Sequence, residues 1–342
     1  MKATHLFRLA ALVVTGACVA IAAQAQSKEV NLYTTREATL VRPLLEAYTA
    51  KTGIKVNTVF LKDGLPERVA SEGAKSPADV LMEVDVNALV NLTEKGVTQP
   101  VKSAVLEAAV PSNLRDGNGN WYALSLRARV LYTVKSGGPS VFNYEDLADP
   151  KWRGKVCSRA GQHPYNTALI AHMIVRDGEA KTEQWLRGVK ANLARKAGGG
   201  DREVARDIMG GVCDIGPANS YYVGLMRSGA GGPEQQKWGE AINVVLPTFT
   251  GGGTHVNVSG AAVARYAPNR DNALKLLEFL VSDEAQAIYV KANFEYPVKL
   301  GAAADAIITR LGVLNIDPTP LTEIAKQRKA ASLLVDKVGF DS

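Results

Sequence analysis

From Glu29 to Leu92, short apolar runs alternate with amphipathic helical stretches, and this constrains the fold more than any other feature of the chain. Glu29-Val30-Asn31-Leu32-Tyr33 reads as a strand. Val41, Leu44, Leu45 and Tyr48 then recur at helical spacing, Gly53 stops the helix, and Ile54 to Phe60 forms the next strand. Leu65 to Glu72 reads as a second helix and Ala78 to Met82 as a short strand. The helix after Asp85 buries Leu89, Val90 and Leu92. This order predicts an α/β fold with sheets covered on both faces. Ligands of such folds collect beyond the carboxyl ends of strands, where loops enter helix N-termini. The loops after Leu32, Met82 and Cys157 are therefore where function is expected.

The pattern breaks at Trp121 to Val134, a long extended segment that reads as leaving one globular unit for another. A new set follows, with Lys155-Val156-Cys157 as a strand and helices over Thr167–Val175 and Thr182–Leu193. Gly198-Gly199-Gly200-Asp201 opens another helix with Asp201 as its N-cap. Val212 to Gly216 forms a strand that Pro217 turns. Ala241 to Pro247 carries the chain back, and a helical region over about Leu321 to Val335 ends it. The expected architecture is two-lobed and hinged, with a cleft between lobes joined by crossover strands. The lobes are assigned to 26–126 plus 251–302 and to 127–250 plus 303–342.

Lys2 and Arg8, the apolar run from Leu9 to Ala23, and Ala23-Gln24-Ala25 before Gln26 read as a secretory signal peptide over 1–25. Cys18 faintly suggests lipid attachment, but the apolar run continues past it. Cleavage near Ala25–Gln26 leaves over 300 residues, enough for two substantial cores. It also leaves two cysteines, Cys157 and Cys213, a pair that permits a disulfide in an oxidising compartment without requiring one. Losing Lys2 and Arg8 lowers the formal net charge from +6 to +4, and no long basic stripe appears, so no nucleic-acid partner is expected. Gly-x-x-x-x-Gly-Lys-Ser/Thr, Gly-x-Ser-x-Gly and His-Glu-x-x-His are all missing, which argues against ATP hydrolysis and against an enzyme.

Three phenols occupy loops at strand ends: Tyr165 in His163-Pro164-Tyr165-Asn166, and Tyr221 and Tyr222 after Asn219-Ser220. Taken alone, Tyr221-Tyr222 reads as a packed aromatic pair and Tyr165 as a helix-start residue. Together they offer a coherent site for a hard trivalent cation, which oxygen donors suit and thiolates do not. Arg36, Arg127, Arg129 and Arg159 supply guanidinium groups for an oxyanion. Arg127 and Arg129 share a face only in a regular strand, and a twist there leaves Arg127 as the favoured contact. Ser158 and nearby amides are candidates to cap the same anion. His163, His172, His255 and Glu37 read as capping, packing or surface residues before they read as ligands. Glu83 and Asp85 form a pairing partner for Arg36 or, less simply, an acid–base couple.

The opening Asn31-Leu32-Tyr33-Thr34-Thr35-Arg36, Ser125-Leu126-Arg127-Ala128-Arg129, Tyr165-Asn166-Thr167, Gly199-Gly200-Asp201 and Asn219-Ser220-Tyr221-Tyr222 together resemble the ferric-iron-binding family of periplasmic solute-binding proteins, in its tyrosine-rich, carbonate-dependent branch. The resemblance implies a type II periplasmic binding-protein fold and location in the periplasm. It implies phenolate ligands at Tyr165, Tyr221 and Tyr222, and an anion of the carbonate or bicarbonate type at Arg127; Arg36 and Ser158 join it as candidates from the residues themselves. The implied cargo is Fe3+ or a small ferric chelate, delivered by a monomer to an inner-membrane ABC permease with its cytoplasmic ATPase. Glu37 and Ala38 stand where other branches carry a further histidine or tyrosine ligand. Two other functions stay open: a binding protein for a phosphonate, a sugar phosphate or another organic anion, and a secreted hydrolase or lyase using Asp85 or His163 as base.

Overall fold

The computed structural model describes residues 28–299 and 301–342; the leader assigned to 1–25, its cleavage point at Ala25–Gln26 and Cys18 lie outside them. The strands are β1 (Glu29–Thr34), β2 (Lys55–Phe60), β3 (Val80–Glu83), β4 (Thr98–Gln99), β5 (Tyr122–Val134), β6 (Ile215–Asn219), β7 (Ile242–Val245), β8 (Val256–Ala264) and β9 (Tyr296–Pro297). Their order is β2-β1-β3-β8-β5-β6, with β4 on β8 and with β7 and β9 on β5. β1 runs parallel to β2 and β3, and β8 runs antiparallel to β3 and β5.

Local physics places these elements where the chain reads them. The helix Ala38–Thr52 buries Val41, Leu44, Leu45 and Tyr48, and Gly53 ends it at φ 69°, a left-handed position that suits glycine. β3 is buried along its whole length, as a central strand flanked on both sides must be. Asp85 caps the helix Val86–Glu94 by accepting from the Asn87 amide at 2.8 Å.

β5 makes the molecule two-lobed. Its first half, Tyr122 to Ala128, pairs with β8; from Arg129 to Val134 it pairs with β6 and β7 instead. The return passage ends at His255, whose carbonyl accepts from the Arg129 amide at 2.9 Å. A third passage joins them where Thr254 pairs with Ile316. At this junction His172 Nδ1 lies 2.9 Å from His255 Nδ1, and His172 Nε2 lies 3.1 Å from Asp317. Burial pushes both imidazoles below their ordinary pKa and favours their neutral forms. These contacts tie His172 to the segments at His255 and Asp317 where the chain passes between the lobes. Among the described residues no helix is long and apolar enough to cross a membrane.

Three local expectations differ. Pro217 lies inside β6, opposite Leu131, instead of turning the chain. Beyond β6, among the described residues, there is only an isolated bridge between Ile215 and Val156, so a proline is tolerated at this sheet edge. Lys155–Cys157 makes bridges at Val156 without forming a strand of its own. Gly200, not Asp201, occupies the cap of the helix Asp201–Met209, and the Asp201 side chain turns inward.

Cys157 and Cys213 form a disulfide with Cα atoms 5.8 Å apart, joining segments 56 residues distant in sequence. The bond ties the loop leading to Tyr165 to the segment leading into β6. Replacing both cysteines by alanine is expected to lower the unfolding free energy by about 2–4 kcal/mol, read from urea denaturation at equilibrium.

Candidate metal centre

Tyr165 is the second residue of the helix Pro164–Asp177. Pro164 takes the first position, where no amide donor is needed, and His163 Nδ1 caps by accepting from the Tyr165 amide at 3.2 Å. Tyr221 and Tyr222 open the helix Tyr221–Arg227 directly after β6. Adjacent residues within a helix do not share a face. At this strand-to-helix junction their rings nevertheless lie 4.1 Å apart and 33° from parallel. Tyr165 Oη comes within 3.3 Å of Tyr221 Oη. All three side chains line one cleft of about 360 Å³, facing Thr35, Arg36 and Glu37 of the first lobe. Burial, then Tyr165 and Tyr222, push the Tyr221 phenol well above its ordinary pKa; burial and Tyr165 also raise Tyr222. A concentrated positive charge in the cleft would reverse that preference by favouring the phenolate.

A buried network behind the phenols sets their approach. Asp201 accepts from Arg129 at 2.8 Å, from Arg159 at 3.1 Å and from the Asn219 amide at 2.7 Å. Arg129 also donates to Asn166 at 2.6 Å and to Asn219 at 3.0 Å. Asn166 follows Tyr165, and its amide nitrogen donates to Ser158 Oγ, Arg159 O and Ala160 O. One carboxylate and one guanidinium thus join β5, the Tyr165 loop, the Gly200 turn and the end of β6.

The guanidinium groups divide by task. Arg127 lines the cleft, while Arg129, two residues on, points into the second lobe; the change of sheet partner between Ala128 and Arg129 separates them. Arg127 donates to the Val84 and Val258 carbonyls and lies 5.9 Å from the centre of the Tyr165 ring. Among the described residues no carboxylate forms a salt bridge with it. Arg159 stacks on Tyr165 at 4.9 Å but is tied to Asp201. Arg36 lies in the cleft wall, bonded to Glu295 at 2.7 Å and to Ser259 at 2.5 Å. Burial opposes its charge, and Glu295 more than offsets that, so its pKa rises. Its expected partners Glu83 and Asp85 are engaged elsewhere: Glu83 accepts from Thr35 at 2.5 Å, and Asp85 from Asn257 at 2.7 Å. Burial raises Glu83 to about 7.

Ser158 is not brought to the cleft. Its hydroxyl is buried behind the loop, where it donates to Arg159 O and accepts from Asn166. Glu37 is exposed on the cleft wall. Arg202 and Glu295 also line the cleft and were not foreseen. Arg202 stacks on Tyr222 at 5.5 Å, and its place beside Asp201 in the Gly-Gly-Asp-Arg turn was a usable signal. Glu295 arrives from a distant segment with no local signature. Among the described residues no group of three His, Cys, Asp or Glu is placed to hold a metal ion, which leaves the phenols as the clustered hard donors. Replacing Asp201 by alanine is expected to cost about 3–5 kcal/mol of stability by leaving Arg129 buried without its charge partner, measured by chemical denaturation.

The family described as "Bacterial extracellular solute-binding protein" matches residues 75–309. The chain is similar to "Iron uptake protein A1" of Synechocystis, 40% identical over 318 residues, spanning 92% of this chain and 88% of that one. Among solved structures it is similar to "Bordetella ferric binding protein", at 63% identity and TM-score 0.89, covering 92% of this chain and all of the other. It is also similar to a Trichodesmium protein (IdiA, FutA) solved "in complex with iron and citrate ligands", at 39% identity and TM-score 0.87, covering 91% and 99%. On these matches the chain belongs to the bacterial extracellular solute-binding protein family, whose members bind solutes and are not enzymes.

Proposed function

We propose that this protein captures ferric iron in the periplasm and hands it to an inner-membrane ABC permease. The observation that carries the reading is the convergence of Tyr165, Tyr221 and Tyr222 on one cleft, with two phenol oxygens 3.3 Å apart. A phenol ionises near pH 10 when free, so binding a trivalent cation at neutral pH must displace protons. Three phenolates neutralise the ion's charge and leave coordination positions for water or an anion. Arg127, unpaired with any described carboxylate, suits a carbonate or bicarbonate that bridges protein and metal. Arg36 contributes positive potential while tied to Glu295. The iron that similar proteins are named for supports the same cargo.

Hinged lobes at 26–126 plus 251–302 and 127–250 plus 303–342 fit the change of β5 partners after Ala128. The second lobe then brings the phenols and the first brings Arg36 and Glu37, so closure buries the ion. The rims of both lobes are the docking surface for the permease. An organic-anion binder accounts for Arg127 and Arg202 but gives no reason for three clustered phenols.

Iron(III) added to the apo-protein in bicarbonate is expected to produce a visible phenolate-to-iron charge-transfer band. Up to three protons should be released per iron, counted by pH-stat titration. Below neutral pH those protons compete with the metal, so affinity should fall as pH falls. The triple Tyr→Phe variant should show no band and no saturable binding; retention of both would exclude the assignment. Arg127→Ala is expected to lower affinity in bicarbonate by roughly 10–100-fold, with a smaller effect when the added anion is omitted.

A further inference from the structure

We infer that Phe294 is a positioning residue for the tyrosine centre, a wedge from the first lobe that seats on Gly224 of the second and holds the lobes together. The inference rests on the iron-binding reading above and adds the contact that retains the ion once it is bound. Among the described residues Phe294 is the one non-glycine with positive φ, at 55°. It occupies the left-handed position that ends the helix Asp283–Asn293, donating to the Val290 carbonyl at 3.0 Å. Helices commonly end this way on glycine, because a side chain there is strained. Such strain persists where the surroundings dictate it, and it gathers at functional positions. Here the surroundings are the cleft itself. Asn293 lines it on one side of Phe294; on the other, Glu295 clamps Arg36, and Tyr296 pairs with Leu126 of β5.

What the strained turn achieves is a direction for the ring. It lies against Gly224, where an added Cβ would sit 2.2 Å from Phe294 Cγ and 2.3 Å from its Cβ. Those atoms are near the ring's attachment to the backbone, so no rotation of a flexible tip relieves the clash. Gly224 belongs to the helix Tyr221–Arg227, three residues beyond Tyr221 and next to Leu225 of the cleft. Glycine is a poor residue for a helix interior. Its presence here is explained by the ring it receives. The seat therefore links the Arg36–Glu295 pair directly to the helix that bears two of the phenols. Because it bridges the two lobes, the contact favours the arrangement seen here over one in which they part.

A double-mutant cycle on the mature protein tests this with Gly224→Ala, Phe294→Gly and the two combined. Phe294→Gly removes the ring and relieves the backbone at once, so it gives a folded reference. Iron loss to excess chelator is followed by the charge-transfer band, and lobe separation by small-angle scattering with and without iron. Gly224→Ala is expected to speed iron loss at least tenfold at an unchanged band wavelength and to increase the radius of gyration. Phe294→Gly should do the same. Adding Gly224→Ala to Phe294→Gly should change neither reading further. Equal effects of Gly224→Ala in both backgrounds, or a wild-type release rate in Gly224→Ala, would overturn the proposal. If wild-type protein gave no band, the iron reading would fail, while scattering from the four metal-free proteins would still decide whether the ring and the glycine act as one unit.

Discussion

The buried contact between Arg129 and Asp201 organises the site. Neither group reaches the cleft, yet Asp201 also accepts from the Asn219 amide and from Arg159, and Arg129 holds Asn166 and Asn219. Each tyrosine loop is thereby anchored at a residue next to a phenol or within three of it. A buried ion pair of this kind is poor evidence for stability, because desolvation offsets much of the attraction. Its value here is geometric. It fixes three loops relative to one another, and the disulfide between Cys157 and Cys213 adds a covalent tie on the same side.

That rigidity suits the chemistry proposed for the cleft. Burial and the neighbouring phenols raise the pKa of Tyr221 and Tyr222, so these two resist ionising. A site of this kind is a poor home for a weakly charged ligand and a good one for an ion that repays the loss of three protons. The surrounding cations are graded accordingly. Arg36 is paired with Glu295, Arg159 shares Asp201 with Arg129, and among the described residues Arg127 and Arg202 have no carboxylate partner. The anion proposed to complete the coordination therefore has the guanidinium groups of Arg127 and Arg202 at its disposal.

The hinge is built from different material. His172, His255 and Asp317 meet where three passages of chain run side by side, and burial favours neutral imidazoles. These two histidines lie among the passages between the lobes and do not line the cleft. The proposed Phe294 wedge lies on the cleft side of that junction, against the helix that bears Tyr221 and Tyr222.

Much of this was legible in the residues. Helical spacing located Val41, Leu44, Leu45 and Tyr48 on a buried face, Gly53 at the helix end and Asp85 at a cap, because these signals act over a few neighbouring positions. The tyrosines were identifiable by their loops and motifs. Other features depended on segments distant in sequence. Pro217 read as a turn because its place at a sheet edge depends on Leu131, and Asp201 read as a cap because its partners Arg129 and Asn219 are remote. Glu295 meets Arg36 across 259 positions, and Ser158 turns from the cleft to serve Asn166. The sequence by itself determined the alternating elements, the export signal as an expectation and the oxygen-donor chemistry on offer. Only the tertiary structure decided that Arg127 faces the cleft while Arg129 turns away, that Glu295 pairs with Arg36, and how closely the phenols approach, since each depends on where a twisted strand changes sheets or on which distant loops meet.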